Sequence, residues 1–271
     1  MRNYLRSFAL SLSIAAAGAA QAHDPARALY LGNEGVLVAR GETKILFDAF
    51  YADSYGTYLA VPPDISDALI KGEAPYDGID AVFVSHIHGD HFSPAPMLAF
   101  LRAQKSVRLY APRQVVDALD DAGMDDALRS RVVAVDLRPE DRAQSIDVGA
   151  IAIDVVSLPH AGELKDVQNY SWRVTLDNET TVIHFGDAGS VEKNFARHEA
   201  HFAARAHDAA FPPFWWYGEK SGRDILEKYV RAKQTIGVHV PAETRGRGDE
   251  TRAELGGDVF TDPGESRVIS D

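Results

Sequence analysis

Ser85-His86-Ile87-His88-Gly89-Asp90-His91 packs three imidazoles and a carboxylate into six consecutive positions, His86 to His91. The stretch follows the apolar run Ala81–Val84, read as a buried strand, and precedes a helical segment near Pro96–Gln104. In extended backbone, residues two apart project to the same side, so His86 and His88 can present two nitrogens to one cation. Gly89 allows a sharp turn that aims Asp90 and His91 elsewhere. Packing a core rarely calls for three neighbouring imidazoles. A solvated histidine-rich loop fits poorly between a buried strand and a helix. The stretch therefore reads as metal-binding.

Working outward, the same placement recurs. Two short apolar runs, Ala28–Leu31 and Val36–Ala39, flank Gly32-Asn33-Glu34-Gly35 and predict a hairpin, and a third strand, Lys44–Phe47, stops at Asp48. A strand at Val107–Tyr110, a helix at Gln114–Ala122 and a strand at Val132–Val135 follow the histidine run. An alternating run, Ile146–Val156, leads to Pro159-His160, and a hairpin turning at Asp177-Asn178 leads to Gly186-Asp187. Next come a helix over Val191–Ala206, a strand at Ala209–Phe211, a helix over Asp224–Ala232, and a strand at Thr235–Val238 that stops at His239. Strand runs interleaved with helices predict an α/β domain with two mixed sheets between helices. Asp48, His86, His160, Asp187 and His239 all sit just past a predicted strand, which gathers them at one rim, where α/β proteins build their sites.

The His-x-His-x-Asp-His run, with Asp48, His160, Asp187 and His239 following the same order of strand ends, resembles the metallo-β-lactamase fold superfamily over essentially the whole chain after residue 22. The resemblance implies a four-layer αββα sandwich and a two-metal site. His86, His88 and His160 would hold the first cation, and Asp90, His91 and His239 the second. Asp187 would bridge them, and Asp48 would orient a ligand histidine by hydrogen bond. Gly256-Gly257-Asp258 and Pro263-Gly264-Glu265 are compatible with the family's final hairpin. The spacing and the stretch Asn169–Trp172 look most like the ascorbate-phosphate lactonase-like branch. β-Lactamases of the fold usually place Cys or Ser at the bridging position, so Asp187 speaks against that activity.

Nitrogen and carboxylate donors without sulfur suit zinc, with iron or manganese as alternatives. A hydroxide shared by two such cations is a nucleophile at neutral pH, which makes hydrolysis of a small ester, lactone or phosphodiester the expected chemistry, with Asp90 handling the proton. The alternatives are an iron-dependent redox enzyme of the same fold and a non-catalytic metal-binding protein. The aromatic stretch containing Phe214, Trp215, Trp216 and Tyr217 is a candidate pocket wall, and Arg245 a candidate anion contact. Arg247 and Arg252 share that basic loop. His198 and His201, three apart on a charged helix, read as a solvated face. His184 and His207 read as core or rim residues.

The chain has 271 residues, no cysteine, ten histidines and a formal net charge of −12. Absence of cysteine excludes disulfide scaffolds, thiol nucleophiles and thiolate metal sites. The acidic balance excludes a broad nucleic-acid surface, which needs clustered Lys and Arg, and the expected partner is a small-molecule substrate. Arg2 and Arg6 precede an apolar stretch, Phe8 to Ala20, and Ala20-Gln21-Ala22 supplies small residues for cleavage. Residues 1–22 thus read as a secretory signal and 23–271 as the domain, giving a periplasmic or secreted protein with no stable membrane insertion after cleavage.

Overall fold

Alternate residues along each strand divide between two faces, and that alternation builds the layers. The computed structural model describes residues 25–270; the expected leader, 1–22, lies outside them. One sheet takes β1 (Arg27–Gly32), β2 (Gly35–Arg40), β3 (Thr43–Phe47), β4 (Ala81–Phe83), β5 (Arg108–Pro112) and β6 (Val132–Val135). The other takes β7 (Gln144–Val148), β8 (Ile151–Ser157), β9 (Tyr170–Leu176), β10 (Thr180–His184), β11 (Ala209–Phe211), β12 (Gln234–Gly237) and β13 (Asp258–Val259). A last strand, β14 (Ser266–Val268), returns to the first sheet beside β1. Among the described residues each sheet has seven strands and the same plan: an antiparallel meander whose last strand then pairs in parallel with the strands that follow.

Phe47, Phe83 and Tyr110 of the first sheet meet Trp172, Val182 and Phe211 of the second in a core between the sheets. Their strand neighbours Leu46, Val82 and Leu109 face outward onto helices Pro94–Ala103 and Arg113–Asp121. Ile183, Phe185 and Ala210 pack outward against Phe195, Trp216 and Ile225. The result is the expected αββα sandwich. Trp172 crosses between the sheets, its indole N–H donating to the Val84 carbonyl at 2.9 Å.

Four expectations need correction. The alternating run 146–156 is two strands, β7 and β8, because Gly149 takes φ 62° and turns the chain at Gly149-Ala150. The long helix over 191–206 breaks at His198 (φ −106°, ψ 20°) into Glu192–Arg197 and Glu199–Ala203, which turns His198 and His201 into the protein. The helix expected from Asp224 begins at Lys220 and closes in a wide π turn, Leu226–Val230. The closing hairpin does not form: β13 pairs in parallel with β12, and β14 pairs with β1 in the other sheet.

The strand directions position the site. β3 and β4 run in parallel, and β8, β10 and β12 share one direction, so the residues that follow these strands emerge at one rim. The β1–β2 turn reaches the same rim, since Val36 pairs with Phe47 at the end of β3.

Candidate metal centre

At that rim the ligand atoms of His86, His88, His160 and Asp187 lie within 4.8 Å of one another, as do those of Asp90, His91 and His239. In the first group His86 Nε2 faces His88 Nδ1 at 3.0 Å, and His160 Nε2 lies 3.2 Å from Asp187 Oδ2. In the second, His91 Nε2 and His239 Nε2 are 3.2 Å apart, and His239 Nε2 is 3.2 Å from Asp90 Oδ2. Asp187 turns its other oxygen, Oδ1, to the second group, 3.3 Å from His91 Nε2 and 3.2 Å from His239 Nε2. Its carboxylate therefore stands between the two groups with one oxygen toward each.

The donor set fits divalent cations. Pairs of ring nitrogens face one another, and His160 Nε2 and Asp187 Oδ1 are buried without a hydrogen-bond partner, an arrangement that is costly unless something shares those lone pairs. In three of the histidines the opposite ring nitrogen is held by the protein. His86 Nδ1 meets Ser85 Oγ at 2.9 Å, His160 Nδ1 donates to the Ala161 carbonyl at 2.6 Å, and His91 Nδ1 donates to Asp48 Oδ2 at 2.9 Å. Fixing the second nitrogen sets the tautomer and orientation of a ligand imidazole.

Charge is concentrated here. Burial opposes charge on His91 and His239, yet the facing Asp187 carboxylate holds both imidazoles above their ordinary value, His239 at about 10. Burial likewise opposes the Asp187 carboxylate, but His239 and His91 hold it well below the usual range. The rim thus favours positive charge among these carboxylates. Two residues at the site, Asp48 (φ 37°) and His239 (φ 65°), adopt left-handed backbone, a strain that surrounding structure must hold in place.

Three residues beyond the sequence expectations support the site. Asn169, buried, accepts from the Asp187 amide at 3.0 Å and donates to the Leu158 and Phe185 carbonyls, tying together the loops that carry His160 and Asp187. Asn33 donates to the Asp90 carbonyl at 2.9 Å. Glu34 is fully buried, 3.7 Å from His91 Nδ1, with neither carboxyl oxygen hydrogen-bonded; burial pushes its carboxyl well above the ordinary range. A polar pair inside a hairpin turn at the site's rim was the available signal.

A cavity of about 820 Å³ opens beside His160 and Asp187, with Tyr58, Leu164, Lys193 and Trp215 among its walls. Of the expected pocket residues, Trp215 lines this cavity, its ring 5.4 Å from that of His239. Phe214 packs with Tyr217 against Val240 and Val259, and Trp216 is enclosed in the outer core, because the chain turns helical over Trp215–Gly218 and sends successive rings to different sides. Arg245 points to a different hollow, near Pro62 and Pro263, and lies 3.9 Å from Asp262. Arg247 pairs with Glu250, and Arg252 with Asp249 and Glu265, so this loop's cations are largely occupied. Among the described residues no helix is long and apolar enough to cross a membrane.

Residues 43–221 match the sequence profile of the beta-lactamase superfamily domain. No curated protein matches the chain in sequence. In fold, the chain is similar to a metallo hydrolase from Ignicoccus hospitalis, with 15% identity and a TM-score of 0.60, covering 92% of this chain and 100% of that one. It is similar to a metallo-beta-lactamase fold protein from Bacillus subtilis, with 19% identity and a TM-score of 0.58, covering 90% and 99%. It also resembles an isothiocyanate hydrolase from Delia radicum gut bacteria, with 15% identity and a TM-score of 0.61, covering 90% and 100%. With its profile match spanning most of the chain and the His/Asp rim in place, this protein belongs to the beta-lactamase superfamily.

Proposed function

We propose that this chain is an exported, dinuclear zinc-dependent hydrolase that cleaves a small ester, lactone or phosphodiester. The observation that carries the reading is the Asp187 carboxylate, whose Oδ2 lies 3.2 Å from His160 Nε2 while its Oδ1 lies 3.2 Å from His239 Nε2. His86, His88 and His160 would hold one cation, Asp90, His91 and His239 the other, and Asp187 both. Imidazole and carboxylate donors without a thiolate favour zinc. Two such cations, when bound, supply an activated water at neutral pH and stabilise developing negative charge on the substrate.

The chain's own residues do the rest. Asp90, nearly buried and steadied by Asn33, is the carboxylate placed to take the proton as the scissile bond breaks. Tyr58 and Trp215 wall one side of the cavity beside the ligands. Export is supported by the arginines, apolar run and small residues of 1–22.

The test is a substrate panel of lactones, thioesters, β-lactams and aryl phosphodiesters, run on zinc-loaded protein and on Asp90→Asn. Turnover of at least one class, lost in Asp90→Asn, is the expected result. Inertness on every class overturns the hydrolase reading, and stoichiometric iron in protein made in unsupplemented medium overturns the zinc assignment.

A further inference from the structure

The ligands of the second group come from two segments, Asp90-His91 and His239, and all three meet one short turn. Asn33, between β1 and β2, donates from Nδ2 to the Asp90 carbonyl at 2.9 Å and to Asp90 Oδ2 at 3.3 Å. Its own carbonyl accepts from the His239 amide at 3.0 Å. The neighbouring Glu34 sets its carboxyl 3.7 Å from His91 Nδ1. The turn is anchored from the other sheet, where His184 Nε2 donates to the Glu34 carbonyl at 3.1 Å. Asn33 itself is left-handed, φ 45°, a conformation that Asn tolerates better than most residues.

Among the described residues no hydrogen bond or ion pair joins this turn to His86, His88 or His160, although Glu34 comes within 4.8 Å of the shared Asp187 carboxylate. His86 is oriented by Ser85 and His160 by the Ala161 carbonyl, from the loops that carry them. The two halves of the site share Asp187 and the bonded pair Asp48 and Ser85, which reaches both His91 and His86, whereas the Asn33 bonds go to the second half.

We infer that the Asn33–Glu34 turn is a positioning element for the second cation alone, and that it sets the affinity of that cation separately from the first. A ligand cluster drawn from remote segments binds tightly only when those segments are held in register before the cation arrives. Asn33 does this for Asp90 through its side chain and for His239 through its backbone. Glu34 adds bulk and a polar group behind His91, with its carboxyl 3.7 Å from Nδ1. The inference rests on the two-cation reading.

The test is a zinc titration of the metal-free chain by calorimetry, with elemental analysis after gel filtration. Asn33→Gly keeps the left-handed backbone and the carbonyl facing His239 but removes both bonds to Asp90. One of two sites should weaken about tenfold or more, the usual scale for losing a group that orients a ligand, while the other stays unchanged. His88→Ala should lose the opposite site, and the double variant should lose that site and keep the other at the weakened affinity of Asn33→Gly. A wild-type protein that binds a single zinc overturns the two-cation reading itself. Two wild-type sites that Asn33→Gly weakens equally, or leaves alone, overturn the inference. Should Asn33→Gly fail to fold, Asn33→Asp is read the same way, since it keeps size and backbone and turns a donor into an acceptor facing Asp90. Failure of both to fold in the presence of zinc would show that the turn holds the fold rather than the site, and would equally overturn the inference.

Discussion

Asp48 Oδ2 accepts a hydrogen bond from His91 Nδ1 at 2.9 Å, and both side chains are buried. The same carboxylate accepts from the Ser85 amide at 2.8 Å through Oδ1. It thus fixes the ring of a second-group ligand and the start of the histidine run together. Replacing Asp48 by Asn keeps the shape but removes the charge that holds His91 with its Nε2 toward Asp187. Zinc affinity should fall about 10- to 100-fold, measured by competition with a chromophoric chelator. Unchanged affinity would leave Asp48 a merely structural residue.

Gly186 takes φ +53°, and a Cβ there would lie 2.5 Å from both Asn169 Oδ1 and Ser85 Cβ. Gly186→Ala therefore strains the backbone and pushes on two residues that hold the site, Asn169 under Asp187 and Ser85 beside His86. Stability should drop by about 1–3 kcal/mol, and zinc binding should weaken with it. A urea melt alongside a zinc titration checks both.

Removal of metal should lower the melting temperature. A ligand bound only by the folded state, at a thousandfold excess over its Kd, stabilises by about 4 kcal/mol, and chelation withdraws that. The rim also leaves His160 Nε2, Asp187 Oδ1 and Glu34 unpaired. Equal melting temperatures with and without chelator would argue against a resident cation.

The layers and the rim were legible because they rest on local signals. Strand alternation sorted Leu46 from Phe47 onto opposite faces, and Asp48, His86, His160, Asp187 and His239 each followed a strand. What escaped the sequence depends on contacts between remote segments. Asn33 and Asn169 match no metal-ligand pattern, since one is a turn residue and the other sits just before β9, and strand pairing within each sheet sets Asn33 beside Asp90 and Asn169 across from Asp187. His198 and His201 looked solvated because a continuous helix would turn them outward; the break at His198 reverses them. The last strands looked like a hairpin because proximity in sequence suggests pairing, whereas free edges on both sheets took one strand each.

Trp215 and Trp216 are adjacent but should respond in opposite ways. Trp215 faces the cavity beside His239, whereas Trp216 is fully buried against Phe185 and Phe195, with its indole N–H donating to the Ala188 carbonyl at 2.9 Å. Trp216→Ala should cost about 3–5 kcal/mol of stability. Trp215→Ala should leave the melting temperature nearly intact and change KM for the substrate found by the panel. The reverse pattern would show that the cavity wall has been misassigned.

His201 gives a pH dependence that can be worked out in sign. Its ring is buried with neither nitrogen hydrogen-bonded, and burial, helped by Arg173, lowers its pKa to about 3. In the unfolded chain the same imidazole titrates near its ordinary value of about 6.5. Between those values the unfolded chain binds a proton that the folded one refuses, so stability falls as pH drops through this window, by about 1.4 kcal/mol per unit. At pH 5 the contribution is about 2 kcal/mol relative to neutral pH. His201→Leu removes it and keeps an apolar side chain against Phe202, which the ring touches edge-on at 5.1 Å. Urea unfolding of both proteins with chelator present, at pH 7.5 and pH 5, isolates this residue from the metal-site histidines, which the two proteins share. The variant should gain on the wild type at the lower pH; an equal difference at both pH values would mean that His201 does not stay neutral in the folded protein.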